Sequence, residues 1–373
     1  MKKKIIIVGS AHPLRGGGLS SYNERLAREF QAMGWDTQIY TFSLQYPGFL
    51  FPGTTQYSAE PAPADLRIRV CINSVNPFNW LSVGNELKKL APDIIVVRYW
   101  LPFMGACLGT ILRRVKKNKT TKIVCIVDNI FPHEKRPGDR LLTAYFLKPV
   151  DAFITMSEKV LADLRTIEKD KPACYIPHPL YDNFGEKVDK QEARKYLGLD
   201  PDDRLILFFG FIRKYKGLDI LLDAMKIVKQ QTPVKLLIAG EFYEDSTPYL
   251  QQIKANEIED VVILKTDFVP DREVKYYLCA ADAVVQPYRD ATQSGVTPLA
   301  YHFEKPMIVT NVGGLPAMVP DGIAGLVAEP DALSIAEKIV QYFDAGEEKF
   351  LPGLVAEKEK YKWSNIAEAI IDC

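Results

Sequence analysis

Long apolar runs are missing from this chain. No stretch approaches the roughly 18–20 residues that a helix needs to cross a bilayer, which excludes a helical membrane span. The start, MKKKIIIVGSAHP, has the outline of a leader peptide, but its apolar stretch Ile5–Val8 is too short and no small-residue cleavage site follows. It is read as an opening core strand. Clustered cysteine is missing too. Cys71, Cys107, Cys125, Cys174, Cys279 and Cys373 are widely scattered, with no CxxC and no Cys/His group, so neither a disulfide framework nor a zinc site is indicated. Reduced thiols and a cytoplasmic location are the expectation. Net charge is absent, with 47 Lys/Arg against 47 Asp/Glu, which disfavours a globally basic nucleic-acid binder. A GxGxxG fingerprint with a later acidic residue is also absent, which disfavours a dehydrogenase. There is no internal repeat and no low-complexity tract.

What is present is ordinary globular composition, 47% apolar and 25% charged over 373 residues. That length fits two domains, or at most three. The zero net charge conceals an asymmetry. Residues 1–180 carry 25 Lys/Arg and 15 Asp/Glu, a net +10, and residues 181–373 carry 22 and 32, a net −10. A split of this size points to different partners for the two halves.

Both halves alternate short apolar runs with helix-like segments. In the first, KKIIIVG, DTQIYTF, PDIIVVR, TKIVCIVD and DAFITMS read as strands, and Gly18–Gly34 reads as a helix with Leu19, Tyr22, Leu26 and Phe30 near helical spacing. In the second, RLILFFG, VKLLIAG, DVVILKT, DAVVQP, PMIVTN and IAGLVA are strands, with Gly217–Gln230 and Ala332–Phe343 as helices. Apolar runs without alternation fit strands covered on both faces, hence parallel sheets in an α/β fold. The boundary is expected near Pro177–Glu186, rich in Pro, Gly and Asn. Two α/β sandwiches joined there are expected to face each other across a cleft, with ligands beyond the carboxyl ends of the strands.

Four constellations carry candidate chemistry. Gly16-Gly17-Gly18 follows the first strand and opens a helix, where free N–H groups favour anions and Gly permits close approach. Gly210-Phe-Ile-Arg213-Lys-Tyr-Lys216-Gly217 also lies between strand and helix. Arg213 and Lys216 there can neutralise a diphosphate, Arg by a bidentate fork and Lys as a point charge. Asp290–Thr297 opens a further helix, and the backbone N–H groups of Ser294, Gly295, Val296 and Thr297 form a second anion site. Asp128–Asp139 is a polar cluster after a buried strand, in which His133 can orient a sugar or assist proton transfer. Arg98, at the carboxyl end of its strand, is a cleft candidate on the acceptor side. The one DxD triplet, Asp200-Pro-Asp202, precedes its strand at the wrong end and is discounted as a metal site, so no metal is expected.

The chain resembles the retaining glycosyltransferases of family 4, whose GT-B fold pairs two facing Rossmann-like domains. GGGLSSYNERLAREFQAMGWDTQIYT, FGFIRKYKGLDILLDAM, LLIAGE, FVPDREVKYYLCAADAVVQPY and KPMIVTNVGGLPAMV look like successive family landmarks, and NVGGLPAMVPDGIAGLV is the most specific. The resemblance implies an acceptor-side domain over 1–180, a nucleotide-sugar domain over 181–350, and a segment 351–373 whose helix returns to the first domain. It implies transfer of a sugar from a UDP- or GDP-sugar to a glycan or lipid-linked acceptor, with retention and without a metal. Donor contacts then fall on Gly17, Gly18, Gly210, Arg213, Lys216, Gly240, Glu241, Phe268, Val269, Gln293, Ser294, Gly295, Val296 and Thr297. Acceptor contacts fall on Arg98, Asp128, Glu134 and Arg136, and His133 lies over the sugar.

The sequence departs from the pattern at three places. The family's two glutamates, eight positions apart beside the donor, register with Ala291 and Leu299. Its HD pair appears as Val127-Asp128, and the Arg of its GR pair is Phe211, with Arg213 two residues on. These changes leave two rivals, a non-catalytic nucleotide-sugar-binding protein and a nucleotide-sugar epimerase. Finally, Arg113, Arg114, Lys116, Lys117, Lys119 and Lys122, with the aromatic loops Tyr46–Phe51 and Pro77–Trp80, suit contact with an anionic membrane surface on the inner face of the cell membrane.

Overall fold

A computed structural model describes residues 2–15, 18–48, 56–58, 61–131, 137–291 and 294–373. Gly17, His133, Glu134, Arg136 and Gln293 lie outside the described residues, as does the end of the aromatic loop Tyr46–Phe51. The chain divides into two compact units, residues 1–178 with 363–373, and residues 179–362. The break thus falls inside the segment Pro177–Glu186, two residues before position 180. The helix Leu351–Lys358 stays with the second unit, and only Trp363–Asp372 joins the first.

The first unit is built on seven parallel strands, β1 (Lys4–Val8), β2 (Asp36–Leu44), β3 (Ile68–Asn73), β4 (Ile94–Tyr99), β5 (Lys122–Val127), β6 (Ala152–Thr155) and β7 (Ala173–Tyr175), in the order β3-β2-β1-β4-β5-β6-β7. The second has six, β8 (Arg204–Phe209), β9 (Val234–Ala239), β10 (Val262–Lys265), β11 (Ala283–Gln286), β12 (Met307–Thr310) and β13 (Gly325–Ala328), in the order β10-β9-β8-β11-β12-β13. The pairings are parallel in both sheets. This is the doubly wound α/β pattern twice over, and each order reverses beside the first strand of its unit, between β1 and β4 and between β8 and β11. The central strands are apolar on both faces because helices cover both. All six residues of β4 are buried, and so are five of the six in β5.

β3 was not among the expected strands. It is an edge strand whose Arg69 and Val70 face water, so it lacks the continuous apolar run that marks its buried neighbours. Pro77–Trp80 is not a loop but the first turn of the helix Pro77–Leu90. The Asn76 side chain accepts from the amides of Phe78 (3.0 Å) and Asn79 (3.3 Å), and Pro77 fills the first helical position, where no N–H is needed. The basic segment is also separated from these aromatics. The helix Met104–Val115 starts beyond the carboxyl end of β4 and feeds the amino end of β5, so Arg113–Lys122 gather at the far end of the sheet from Pro77–Trp80. Part of that charge is already engaged. Lys116 pairs with Asp151 at 2.8 Å, and the Arg113 guanidinium lies 4.1 Å from the Tyr145 ring centre. Among the described residues, the basic segment and the aromatics of Pro77–Trp80 therefore do not form one patch.

The last helix packs into the first unit through Trp363, Ile366, Ala367 and Ile370, spaced at i, i+3, i+4 and i+7. This stripe meets Ile5, Ile7, Leu26, Phe30 and Ile154 in one cluster. Trp363 sits 4.8 Å from the Tyr22 ring, and Arg25 lies over its indole at 5.1 Å.

Candidate functional site

In the second unit, the chain leaves β8 through Gly210, passes Arg213, makes one tight turn over Lys214–Lys216 and enters the helix Leu218–Lys229. Two glycines make this path possible. Gly217 has φ +69°, and a Cβ there would stand 2.0 Å from the Pro287 carbonyl oxygen. Gly240, φ +136°, lets the end of β9 touch Gly210, whose carbonyl oxygen would lie 2.4 Å from any added Cβ. The turn is clamped from the side by Arg289. Its amide donates to the Tyr215 carbonyl at 2.8 Å, and its guanidinium grips the Asp219 carboxylate at 2.5 and 2.6 Å.

Held this way, Lys216 projects into a concavity of about 310 Å³ at the carboxyl ends of β8 and β11, where the strand order reverses. Gly210, Ser294, Gly295, Val296 and Leu299 also line it, with Tyr181, Phe184, Phe209, Phe211, Tyr215 and Tyr288 supplying aromatic walls. Burial, and then the charge of Arg213, pushes the Lys216 ammonium down from the usual 10.5 to about 8. Among the described residues no carboxylate is among the charges acting on it, and its Nζ lies 5.8 Å from the centre of the Tyr288 ring. A half-buried cation with no counter-charge among the described residues, in a concave site at the switch point, is suited to an incoming anion.

The other expected donor residues divide. Gly210, Lys216, Ser294, Gly295 and Val296 come together around the concavity. Arg213 does not line it. It is exposed, lies 5.0 Å from the Tyr243 ring, and acts on the site through its charge on Lys216. The expected row of free amides is only partly free, because the Val296 N–H donates to Ser294 Oγ at 3.1 Å. Thr297 points into the core and exchanges hydrogen bonds with the Gln286 amide at 3.1 and 3.2 Å, so its hydroxyl is not available to a ligand. Glu241 uses its carbonyl to accept from Ile212 while its side chain stays exposed. Phe268 is 62% exposed beyond β10, and Val269 packs on the core beside it. Ala291 is buried in that core, whereas Leu299 does line the concavity, making its wall apolar there. Asp200 accepts the amide of Asp202 at 2.9 Å and shapes a turn. Among the described residues no group of three His, Cys, Asp or Glu side chains is arranged to hold a metal ion.

In the first unit, two acceptor-side candidates prove to be partners of one another. Arg98, the penultimate residue of β4, donates from Nε and Nη2 to the two carboxylate oxygens of Asp128, just after β5, at 2.7 and 2.8 Å. The guanidinium stacks 4.1 Å from the Tyr22 ring centre and is only 6% exposed. The pair sits at the carboxyl ends of β4 and β5, beside that unit's own switch point.

The aromatic lining of the concavity was missed because Tyr181, Phe209 and Tyr288 look like core residues in a sequence. The signal that was available is position, since Phe209 is the last residue but one of the predicted strand RLILFFG and Tyr288 directly follows the Pro287 that ends another.

Comparison with known proteins adds the following. Residues 16–180 match the family model described as Glycosyltransferase Family 4, and residues 203–345 match the one described as Glycosyl transferases group 1. A D-inositol 3-phosphate glycosyltransferase from Acidothermus cellulolyticus is 25% identical, over 95% of this chain and 84% of its own length. A glycosyltransferase structure from Rickettsia africae superposes with a TM-score of 0.70 at 16% identity, covering 100% of this chain and 99% of that one. Anabaena HepE in complex with UDP and glucose superposes with a TM-score of 0.65 at 14% identity, covering 99% and 98%. The structural likenesses carry the fold.

Proposed function

From the premise that this chain belongs to the family 4 glycosyltransferases of GT-B fold, we propose that it moves a sugar from a UDP- or GDP-sugar to a glycan or lipid-linked acceptor, with retention of anomeric configuration and no metal. The observation that carries this reading is Lys216, a cation with no counter-charge among the described residues, inside an aromatic concavity at the switch point of the second unit. Diphosphate departure places new negative charge on a bridging oxygen. A preorganised ammonium aimed at that oxygen stabilises the transition state more than the ground state, by about 3–4 kcal/mol for one such donor. Arg213 adds long-range positive potential. The anion in turn favours the protonated form of Lys216 and reverses the depression that burial imposes.

The aromatic walls and exposed Phe268 offer faces for a nucleobase, and Gly210 leaves room for a phosphate. HepE, of the same fold, is a complex with UDP and glucose, which supports the donor class. On the acceptor side, the Arg98–Asp128 pair forms a rigid wall at the end of the sheet, and His133, Glu134 and Arg136 follow it in the chain as the groups assigned to the sugar and the acceptor. The test is a thermal-shift panel of UDP, GDP, ADP and their sugars. One nucleotide class should raise the transition by mass action, about 2.7 kcal/mol at 100-fold over Kd. A flat response to every nucleotide, or an unchanged response in Lys216→Ala, would overturn the assignment.

A further inference from the structure

Two of the six scattered cysteines meet. Cys174 lies on the edge strand β7, paired in register with Ile154 of β6, which is itself in register with Ile126 of β5. Partners in a parallel register point to the same face of a sheet, so Cys174 belongs to the face that carries Ile126 and Ile154. That face is covered by Ile366, Ala367 and Ile370 of the last helix. Cys373 follows Ile370 by three residues, and its amide donates to the Ala369 carbonyl at 3.0 Å, which continues the helical turn. Three residues on is the same side of the helix. Both thiols pack on this one cluster, both are partly exposed, and the two side chains lie close enough to act on one another.

From this geometry we propose that Cys174 and Cys373 form an oxidative-modification site, a dithiol that closes to a disulfide and fastens the last helix to the edge of the first unit's sheet. The oxidant is a peroxide. The Cys373 thiolate attacks one peroxide oxygen and becomes a sulfenic acid, releasing one water. Cys174 then attacks that sulfur, its proton goes to the departing hydroxide, and a second water leaves. Two thiols and one H2O2 thus give one disulfide and two waters. The roles follow from the surroundings. The contact with Cys174, assisted by the charge of Lys122, holds the Cys373 thiol down to about 7, while that contact and burial push Cys174 up. Cys373 is therefore the attacking thiolate and Cys174 the resolving thiol. The other four thiols lack this arrangement. Cys107, Cys125 and Cys279 are buried, and burial raises all three along with Cys71.

The test uses the folded full-length protein and dilute hydrogen peroxide. The expected result is a mass loss of about 2 Da, one hydrogen from each thiol, with a single Cys174–Cys373 cross-linked peptide that dithiothreitol reverses. A Cys174→Ser variant should lose the cross-link and accumulate oxygen on Cys373. On the unmodified wild type, the alkylation rate of Cys373 should rise through an inflection near pH 7. Two results would overturn the proposal. One is over-oxidation of Cys373 in the wild type with no cross-link. The other is an inflection for Cys373 at the ordinary thiol value together with unreactive thiols at both positions.

Discussion

The two units wind their sheets in the same order yet treat the cation at the switch point in opposite ways. In the first, Arg98 is gripped by both oxygens of Asp128 and roofed by Tyr22. In the second, Lys216 stands in an aromatic concavity where, among the described residues, the one charge acting on it is another cation, Arg213. A charge that has its counter-charge inside the protein builds a wall. A buried charge without such a partner is held at a cost that an incoming anion would offset. The same scaffold thus carries two different charge arrangements at its switch points.

The contrast is sharpest in activity. Lys216→Ala should lower kcat/KM for the nucleotide-sugar by about 10²–10³-fold, the size seen when one preorganised donor is removed, with little loss of stability. Assay of sugar transfer and chemical unfolding on the same preparation checks both halves.

Arg98→Ala should do the reverse at its own site. It leaves the Asp128 carboxylate without its partner in a largely buried setting, at a cost of about 3 kcal/mol. The urea midpoint reports this. An unchanged midpoint with a raised acceptor KM would make Arg98 a ligand-binding cation and dissolve the contrast.

The third expectation uses pH. The Lys216 value is about 8 in the folded protein and near 10.5 when unfolded. Between those values the unfolded chain keeps the proton and the folded one releases it, so this group makes stability rise with pH across that window. At pH 7 the lysine is charged in both states, and the cost of burying it is fully present. Lys216→Met should therefore stabilise the protein at pH 7 by an amount on the order of 2 kcal/mol, in calorimetry, while abolishing transfer. In the wild type, diphosphate affinity should weaken above pH 8, by about tenfold per unit once Lys216 is neutral, measured by titration calorimetry.

The smallest effect concerns the basic end of the first unit. Lys117 and Lys119 are exposed and do not share an end of the sheet with the aromatic residues, so each adds about 1 kcal/mol of attraction to an anionic vesicle and no insertion. Flotation with phosphatidylserine vesicles should be weak, and the doubly reversed Lys117→Glu, Lys119→Glu chain should lose it. Salt-resistant flotation would restore the idea of a combined basic and aromatic membrane face.

Buried strands were readable because a strand covered on both faces must be apolar at nearly every position. β4 and β5 announce themselves as IIVVR and KIVCIV, while β3 at the edge, with Arg69 and Val70 in water, does not. The Gly210–Gly217 loop was readable because a strand-to-helix turn beside a ligand needs glycine at fixed places. The fate of the Thr297 hydroxyl was not readable, because a small polar side chain at a helix start serves a ligand or a core partner equally well, and only packing shows that Gln286 claims it. Arg98 and Asp128 were each picked out, but thirty residues separate them in the chain. Their pairing depends on β4 and β5 lying side by side.

By itself, the sequence determined the α/β class, the division into two halves of opposite charge, the family, and the glycine-flanked cationic loop. All of these rest on local pattern, on apolar periodicity, turn chemistry and composition, which act over a few residues. Tertiary structure decided how the described charges are paired, that the basic segment and Pro77–Trp80 occupy opposite ends of one sheet, and that Cys174 and Cys373 meet. These are contacts between distant segments. They are set by strand order and by which helix covers which face, and no local spacing encodes either.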